Sequence, residues 1–136
     1  MEIKEIKQYF FAHRNGITAD ALRKGGSGFR TIFGVELPPL STLARSIGYD
    51  AELAGALWED REVRESRLLS YWLMDPEALT RQECLELAAG VRDREDAQML
   101  AFRVLKRRAD AVGILADLDA DPNLSMAAAA LRQHLS

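Results

Sequence analysis

Three basic side chains in the second half of the chain are spaced to meet an anionic ligand together. Arg103, Lys106 and Arg107 are separated by three and four residues, so they share one side of a helix. Arginine presents a planar fork of donors that matches a phosphate group. Arg108 extends the group and few acids lie beside it, so phosphate contact and simple solvation are both open interpretations.

A second basic group lies earlier in the chain and has acids within it. Arg61, Arg64 and Arg67 also share one helix side, and Glu62 and Glu65 are placed to pair with them. A solvated, ion-paired face is slightly favoured for this group. Arg64 and Arg67 are kept as candidate phosphate contacts.

Other site chemistries find little support in the sequence. The single cysteine, Cys84, falls on an apolar helical stripe, which favours inert core packing over nucleophilic chemistry. His13 and His134 form no spaced ligand pair, and no metal site is predicted. Gly25-Gly-Ser-Gly28 lacks a following Lys-Ser/Thr and a preceding strand, so it is interpreted as a flexible turn. We expect no cofactor.

The composition is that of an ordinary globular protein. The chain has 136 residues, of which 48% are hydrophobic and 29% charged, with a net charge of -3. This charge argues against coating nucleic acid by bulk attraction but allows a local basic face. No signal peptide and no apolar run of membrane-spanning length is present, so we expect a cytoplasmic protein that does not contact a membrane.

Helical periodicity recurs along the chain, and no alternating strand pattern accompanies it. Asp60-Arg61-Glu62 is echoed by Asp93-Arg94-Glu95, and Asp121-Pro122 stands where a third echo is due. A helix, a tight acidic turn and a second helix, repeated every 30 to 45 residues or so, are typical of a HEAT-like array. The sequence therefore predicts one all-α HEAT-like repeat domain over residues 1-136, with at least six helices. Residues 1-48 would form a helical cap and residues 49-136 about three helical pairs.

Large apolar side chains mark the predicted core of this array. The second helix of the central pair is apolar nearly all round, so it must be covered on more than one side. On this basis we expect Trp58, Trp72, Leu69 and Leu100 to be buried.

Several segments resemble a known protein family. The resembling segments, over residues 33 to 105, are Phe33-Gly-Val, Leu43-Ala-Arg-Ser-Ile-Gly, Glu52-Leu-Ala-Gly-Ala-Leu-Trp58, Arg64-Glu-Ser-Arg-Leu-Leu69 and Asp75-Pro-Glu-Ala-Leu-Thr80. They resemble the bacterial DNA alkylation repair proteins, which are HEAT-like repeat alkylpurine glycosylases. The resemblance implies a concave surface that cradles duplex DNA, with the basic residues as phosphate contacts.

The family's active-site pattern, Trp-Asp-x-x-Asp, is altered in this chain. A gapless count from Thr80 places Arg94 at the aromatic position, Glu95 at the first acid and Gln98 at the second. Depurination builds positive charge on the sugar, which a carboxylate stabilises and a nearby arginine repels. The resemblance thus implies a binding module for duplex DNA or a protein partner, without an assigned catalytic residue. The alternative is an active, divergent alkylpurine DNA glycosylase that uses Glu95 or another acid.

Overall fold

The computed structural model describes the whole chain, Met1 to Ser136, and is entirely helical. The all-α prediction is confirmed. Nine α-helices follow one another: α1 Ile3–Ala12, α2 Gly16–Lys24, α3 Leu37–Ile47, α4 Ala51–Glu59, α5 Arg64–Leu73, α6 Arg81–Ala89, α7 Arg94–Arg103, α8 Ala111–Asp119 and α9 Ser125–Leu135. Two 3₁₀ turns, Leu105–Arg107 and Pro122–Leu124, precede α8 and α9. No helix has the length and apolar character that crossing a membrane requires.

The backbone contacts divide the chain into two compact units, Met1–Met74 and Asp75–Ser136. The first unit contains α1 to α5, and the second contains α6 to α9. Helix α3 packs on α5, so the predicted cap, residues 1-48, and the first helical pair lie in one compact unit.

Helix starts follow capping chemistry at several positions. The Asp50 side chain accepts the Leu53 N–H at 3.0 Å, and Thr80 and Glu83 form a reciprocal capping box. Helix α5 begins without a side-chain cap. Asp60 lies at the end of α4, and its carboxylate accepts the Ser66 hydroxyl at 2.7 Å.

The predicted core residues divide into two kinds. Leu69 and Leu100 are completely buried, as expected. Trp58 and Trp72 are only half-buried, so the prediction of full burial for both is wrong. Tyr71, on the same helix as Trp72, is fully buried. Trp72, next to Tyr71 in the sequence of α5, is thus partly exposed.

Helix α5 is covered on almost every side, including at its polar residues. The loop between α2 and α3 crosses its start, where Thr31 and Val63 form an isolated parallel backbone bridge. Gly34 in this loop has a φ of +81°, and a Cβ there would lie 2.1 Å from the Asn15 carbonyl oxygen. Only glycine allows so close an approach. Backbone contacts therefore fix the loop against the start of α2 at Gly34 and against the start of α5 at Thr31.

Candidate nucleic-acid interface

The start of α7 is fixed by two carboxylates. The Asp93 side chain accepts the Asp96 N–H at 2.8 Å, which makes Asp93 the N-cap. Asp96 is fully buried, and its carboxylate accepts the Arg92 N–H at 2.9 Å. These bonds hold the turn before α7, and so they fix which side chains of α7 face outward.

The residues at the family's active-site positions occupy the first turns of α7. Arg94 is exposed, while Glu95 and Gln98 are half-buried. The Gln98 amide nitrogen donates to the Gln133 side-chain oxygen at 2.9 Å, and its oxygen lies 3.0 Å from His134 Nε2. Because an amide oxygen only accepts, His134 Nε2 is the donor of the second bond. Gln98 thus ties α7 to α9 and carries no charge.

Phe102 continues the outward stripe of α7 one turn beyond Gln98. It is 38% exposed, and its ring centroid lies 5.6 Å from the His134 ring. Lys106 Nζ lies 4.4 Å from that centroid, and the Arg107 guanidinium carbon lies 5.2 Å from it. Both distances are within the range of cation–π attraction. Two cations therefore gather on one exposed aromatic ring.

We refer to this surface as the α7–α9 patch. Its members come from α7, from the following 3₁₀ turn and from α9: Gln98, Phe102, Lys106, Arg107, Gln133 and His134. Arg107 Nε also donates to the Phe102 carbonyl oxygen at 3.0 Å. Neither Lys106 nor Arg107 forms an ion pair with a carboxylate, so both charges are available to an outside anion.

The basic residues of the patch do not share one helix, contrary to the prediction. Helix α7 ends at Arg103, and Val104 leaves helical geometry with φ -121° and ψ -66°. Val104 and Leu105 are fully buried. The 3₁₀ turn that follows, tighter than an α-helix, carries Lys106 and Arg107. Arg103 ends α7 as a half-buried residue beside the patch in sequence.

Arg108, expected to extend the basic group, serves the fold instead. Its Nη1 donates to the carbonyl oxygens of Pro76 and Leu79 at 2.5 and 2.6 Å, and its other nitrogens pair with Asp110. Hydrogen bonding between Arg108 and Asp110 lowers the pKa of Asp110 and raises the pKa of Arg108. With its side chain only 7% exposed, Arg108 cannot reach a ligand.

The other arginines around α8 are also held in structural pairs. Arg81 Nε lies 2.6 Å from an Asp117 carboxylate oxygen, and its Nη2 donates to the Gly113 carbonyl oxygen at 2.7 Å. Arg132 of α9 pairs with Asp119. The second unit contains eleven acidic and eight basic residues. Lys106, which is half-buried, and Arg107, which is exposed, are therefore a basic pair on an otherwise acidic unit.

The basic group of the first unit is not a surface, which corrects the interpretation of Arg64 and Arg67. Both are 2% exposed. Arg64 Nη1 bonds to Glu65 at 2.6 Å and to the Val35 carbonyl oxygen at 3.0 Å. The Arg67 guanidinium lies 3.6 Å from the centroid of the Trp58 ring. Neither can contact a phosphate or form a solvated face. Only Arg61 is exposed.

The patch has hydrogen-bond donors and positive charge but offers no carboxylate among its members. Gln98 and Gln133 are neutral amides that bond to each other. No group of three or more His, Cys, Asp or Glu side chains is placed to hold a metal ion. Cys84 is buried, and burial raises the pKa of its thiol, which disfavours the reactive thiolate. The arrangement suits binding of an anion rather than proton transfer.

Sequence reasoning missed three members of the patch: Phe102, Gln133 and His134. A signal for Phe102 was present, because it interrupts the apolar spacing of Ala97, Leu100 and Ala101. An aromatic residue off the apolar stripe is expected at a surface. Gln133 and His134 gave no local signal, since only the packing of α9 on α7 brings them to Gln98.

The fold is similar to that of a solved protein described as "a new family of proteins related to the HEAT-like repeat DNA glycosylases with affinity for branched DNA structures". The TM-score is 0.85 at 18% sequence identity, over 97% of this chain and 56% of the other. The likeness confirms the HEAT-like repeat fold, and this chain spans little more than half the length of that protein. No protein-family model and no curated protein matches the sequence.

Proposed function

We propose that this protein binds DNA through the α7–α9 patch without excising bases. The observation that carries the proposal is the pair of cations, Lys106 and Arg107, gathered on the exposed ring of Phe102. Positive charge beside an exposed aromatic ring is the combination that single-stranded and irregular nucleic acids require. Arg103, at the end of α7, is the third proposed phosphate contact.

The likeness in fold supports the choice of DNA as the ligand. The structurally similar protein is described as having affinity for branched DNA. The same HEAT-like framework here carries a basic and aromatic patch on one of its helices. We therefore propose branched DNA as well as duplex DNA as ligands for this chain.

The number of cations sets the expected strength of binding. Each phosphate neutralised contributes a slope of about -0.9 to the dependence of log affinity on log salt concentration. Three contacts give a slope of about -3. The net charge of -3 opposes association at long range. Binding of duplex DNA should thus be micromolar or weaker at low salt and be lost near physiological salt.

A titration of labelled DNA against salt concentration tests this proposal. Fluorescence anisotropy would measure affinity for a duplex, a three-way junction and a four-way junction of equal length between about 20 and 200 mM salt. Saturable binding with a log–log slope near -3 is expected for the duplex. Absence of binding to every DNA at the lowest salt would contradict the proposal.

The absence of base excision is proposed from the side chains at the family's active-site positions. Gln98 is a neutral amide engaged with α9, and Arg94 would repel a developing cation on the sugar. We expect no release of 3-methyladenine or 7-methylguanine from alkylated duplex DNA. Chromatography of the released bases measures this directly. Release that disappears in Glu95→Gln would restore the enzyme interpretation.

A double variant tests whether this fold still places bound DNA against the first turns of α7, as the resemblance to the glycosylase family implies. Arg94→Trp with Gln98→Asp introduces the aromatic and the second acid together. Base release by this variant, with none by the parent protein, would support a retained DNA-binding geometry. Gln98→Asn is the matched control, since it alters the contacts to α9 without adding a carboxylate.

A further inference from the structure

Phe102 is the only Phe, Trp or Tyr residue of the second unit, and it lies at the surface. The core of this unit is built from aliphatic residues such as Leu100, Leu105 and Ile114, all completely buried. Burial of an aromatic side chain normally contributes strongly to a core. Placement of the single aromatic residue outside the core therefore has no explanation in the packing of the unit.

We propose that Phe102 stacks on an unpaired nucleobase at a branch or gap in DNA, while Lys106 and Arg107 contact the adjacent phosphates. This inference rests on the DNA binding proposed above and names the part of the ligand that Phe102 recognises. Bases in a continuous duplex are stacked on both sides and offer no free face. An unpaired base offers one.

The two cations and the ring are arranged for an exchange of partners. In the free protein, Lys106 and Arg107 lie over the Phe102 ring at 4.4 and 5.2 Å. Each exposed cation–π contact of this kind corresponds to about a 2- to 5-fold effect on an equilibrium, so the two together correspond to about 4- to 25-fold. Stacking of a base on an aromatic ring corresponds to about 5- to 150-fold in affinity. Base stacking on Phe102, together with the phosphate contacts that Lys106 and Arg107 gain, therefore outweighs the two cation–π contacts that are lost.

The neighbours of Phe102 restrict where its ring can move. The His134 ring lies 5.6 Å away at an angle of 49°, and Gln98 holds His134 by a hydrogen bond. Arg107 Nε is bonded to the Phe102 backbone, so its guanidinium stays close to the ring. The ring is thus presented from a rigid helix rather than from a mobile loop, which lowers the entropy lost on stacking.

The test compares affinity for two DNA molecules of equal length and charge. One is a continuous duplex and the other is a three-way junction with two unpaired bases at the branch. The measured quantity is the ratio of the two dissociation constants in the parent protein, Phe102→Leu and Phe102→Trp. We expect Phe102→Leu to lower the preference for the junction, measured as this ratio, at least 5-fold, and Phe102→Trp to keep it.

A fluorescent base reports the stacking itself. With 2-aminopurine at the unpaired position, binding of the parent protein should reduce its fluorescence, and Phe102→Leu should not. Circular dichroism of each variant verifies that the helices are retained. Phe11→Leu is the matched control, because Phe11 is 58% exposed and carries Arg14 at 3.8 Å from its ring centroid, but lies in the first unit.

The outcomes separate this inference from the proposed function. If DNA binds and Phe102→Leu leaves the junction preference and the quenching unchanged, Phe102 does not recognise a base, while DNA binding stands. An equal loss of preference in Phe11→Leu would also overturn the assignment. If no DNA binds at all, both proposals fail together.

Discussion

Glu65 is a buried carboxylate near the start of α5 that binds the loop between α2 and α3. It is completely buried, and its two carboxylate oxygens accept the Phe33 and Gly34 N–H groups at 3.0 and 3.1 Å. Arg64 neutralises it at 2.6 Å and bonds to the Val35 carbonyl oxygen. One ion pair thus satisfies three backbone groups of the loop that covers α5.

Removing the Glu65 carboxylate should strongly destabilise the protein. Glu65→Ala leaves Arg64 as a buried charge and two N–H groups without their acceptor. The expected loss in free energy of unfolding is about 3 to 5 kcal/mol. Urea denaturation of the parent and the variant measures it.

A surface ion pair provides the control for Glu65. Glu59 pairs with Arg61 at 3.2 Å, but both side chains are more than half exposed. Glu59→Ala should change the free energy of unfolding by less than about 1 kcal/mol. Equal effects of the two substitutions would contradict the role assigned to the buried pair.

Periodicity could not distinguish Arg64 and Arg67 from exposed residues. Their three-residue spacing is that of a surface stripe, and Glu62 and Glu65 stand where exposed partners would. The loop before α3 covers them from far earlier in the sequence, since Arg64 bonds to the Val35 carbonyl oxygen and the Arg67 guanidinium lies 5.5 Å from the Phe29 ring centroid. A contact so distant in sequence leaves no trace in local spacing, and so the charge pattern was misleading.

At the scale of elements, the helices and most of their caps were predictable because local chemistry decides them. Asp50, Thr80 and Asp93 each cap a helix with a side chain of a type that favours N-caps. The 3₁₀ turn after α7 was not predicted. It begins where Val104 leaves helical geometry, and helical spacing of the basic residues gave no indication of it.

Arg108 bonds to Pro76 and Leu79 before α6 and to Asp110 before α8, and low pH should weaken the bond to Asp110. Because Arg108 lowers the pKa of Asp110 in the folded protein, the pair stabilises the fold above the unfolded pKa of about 4. This contribution is lost as pH falls through the folded pKa. Asp110→Asn should therefore lower the free energy of unfolding at pH 7, and the difference from the parent should shrink below about pH 4.

Thermal or urea unfolding at several pH values measures that difference. Asp20→Asn removes an exposed carboxylate from α2 and is the matched control. It should leave the free energy of unfolding nearly unchanged at pH 7. A deficit in Asp110→Asn that persists undiminished to pH 2 would count against the Arg108–Asp110 pair as its source.

At the scale of the whole molecule, the HEAT-like fold followed from the repeat of paired helices, whereas the patch did not. The repeat is a local sequence pattern that recurs three times, so it can be recognised without knowledge of tertiary contacts. The patch depends on α9 packing against α7 and on a turn that redirects two cations. Of the proposed interface, Gln98, Arg103, Lys106 and Arg107 were identifiable beforehand.

The salt dependence of duplex binding in Lys106→Ala plus Arg107→Ala tests the central claim most directly. If these two cations contact phosphates, the double variant should bind more weakly, and its log–log salt slope should be smaller by about 2. Arg30→Ala plus Arg45→Ala removes the same charge from exposed positions of the first unit and should leave the slope unchanged. Equal slopes in the parent and in Lys106→Ala plus Arg107→Ala, with both proteins folded, would contradict DNA binding through the α7–α9 patch.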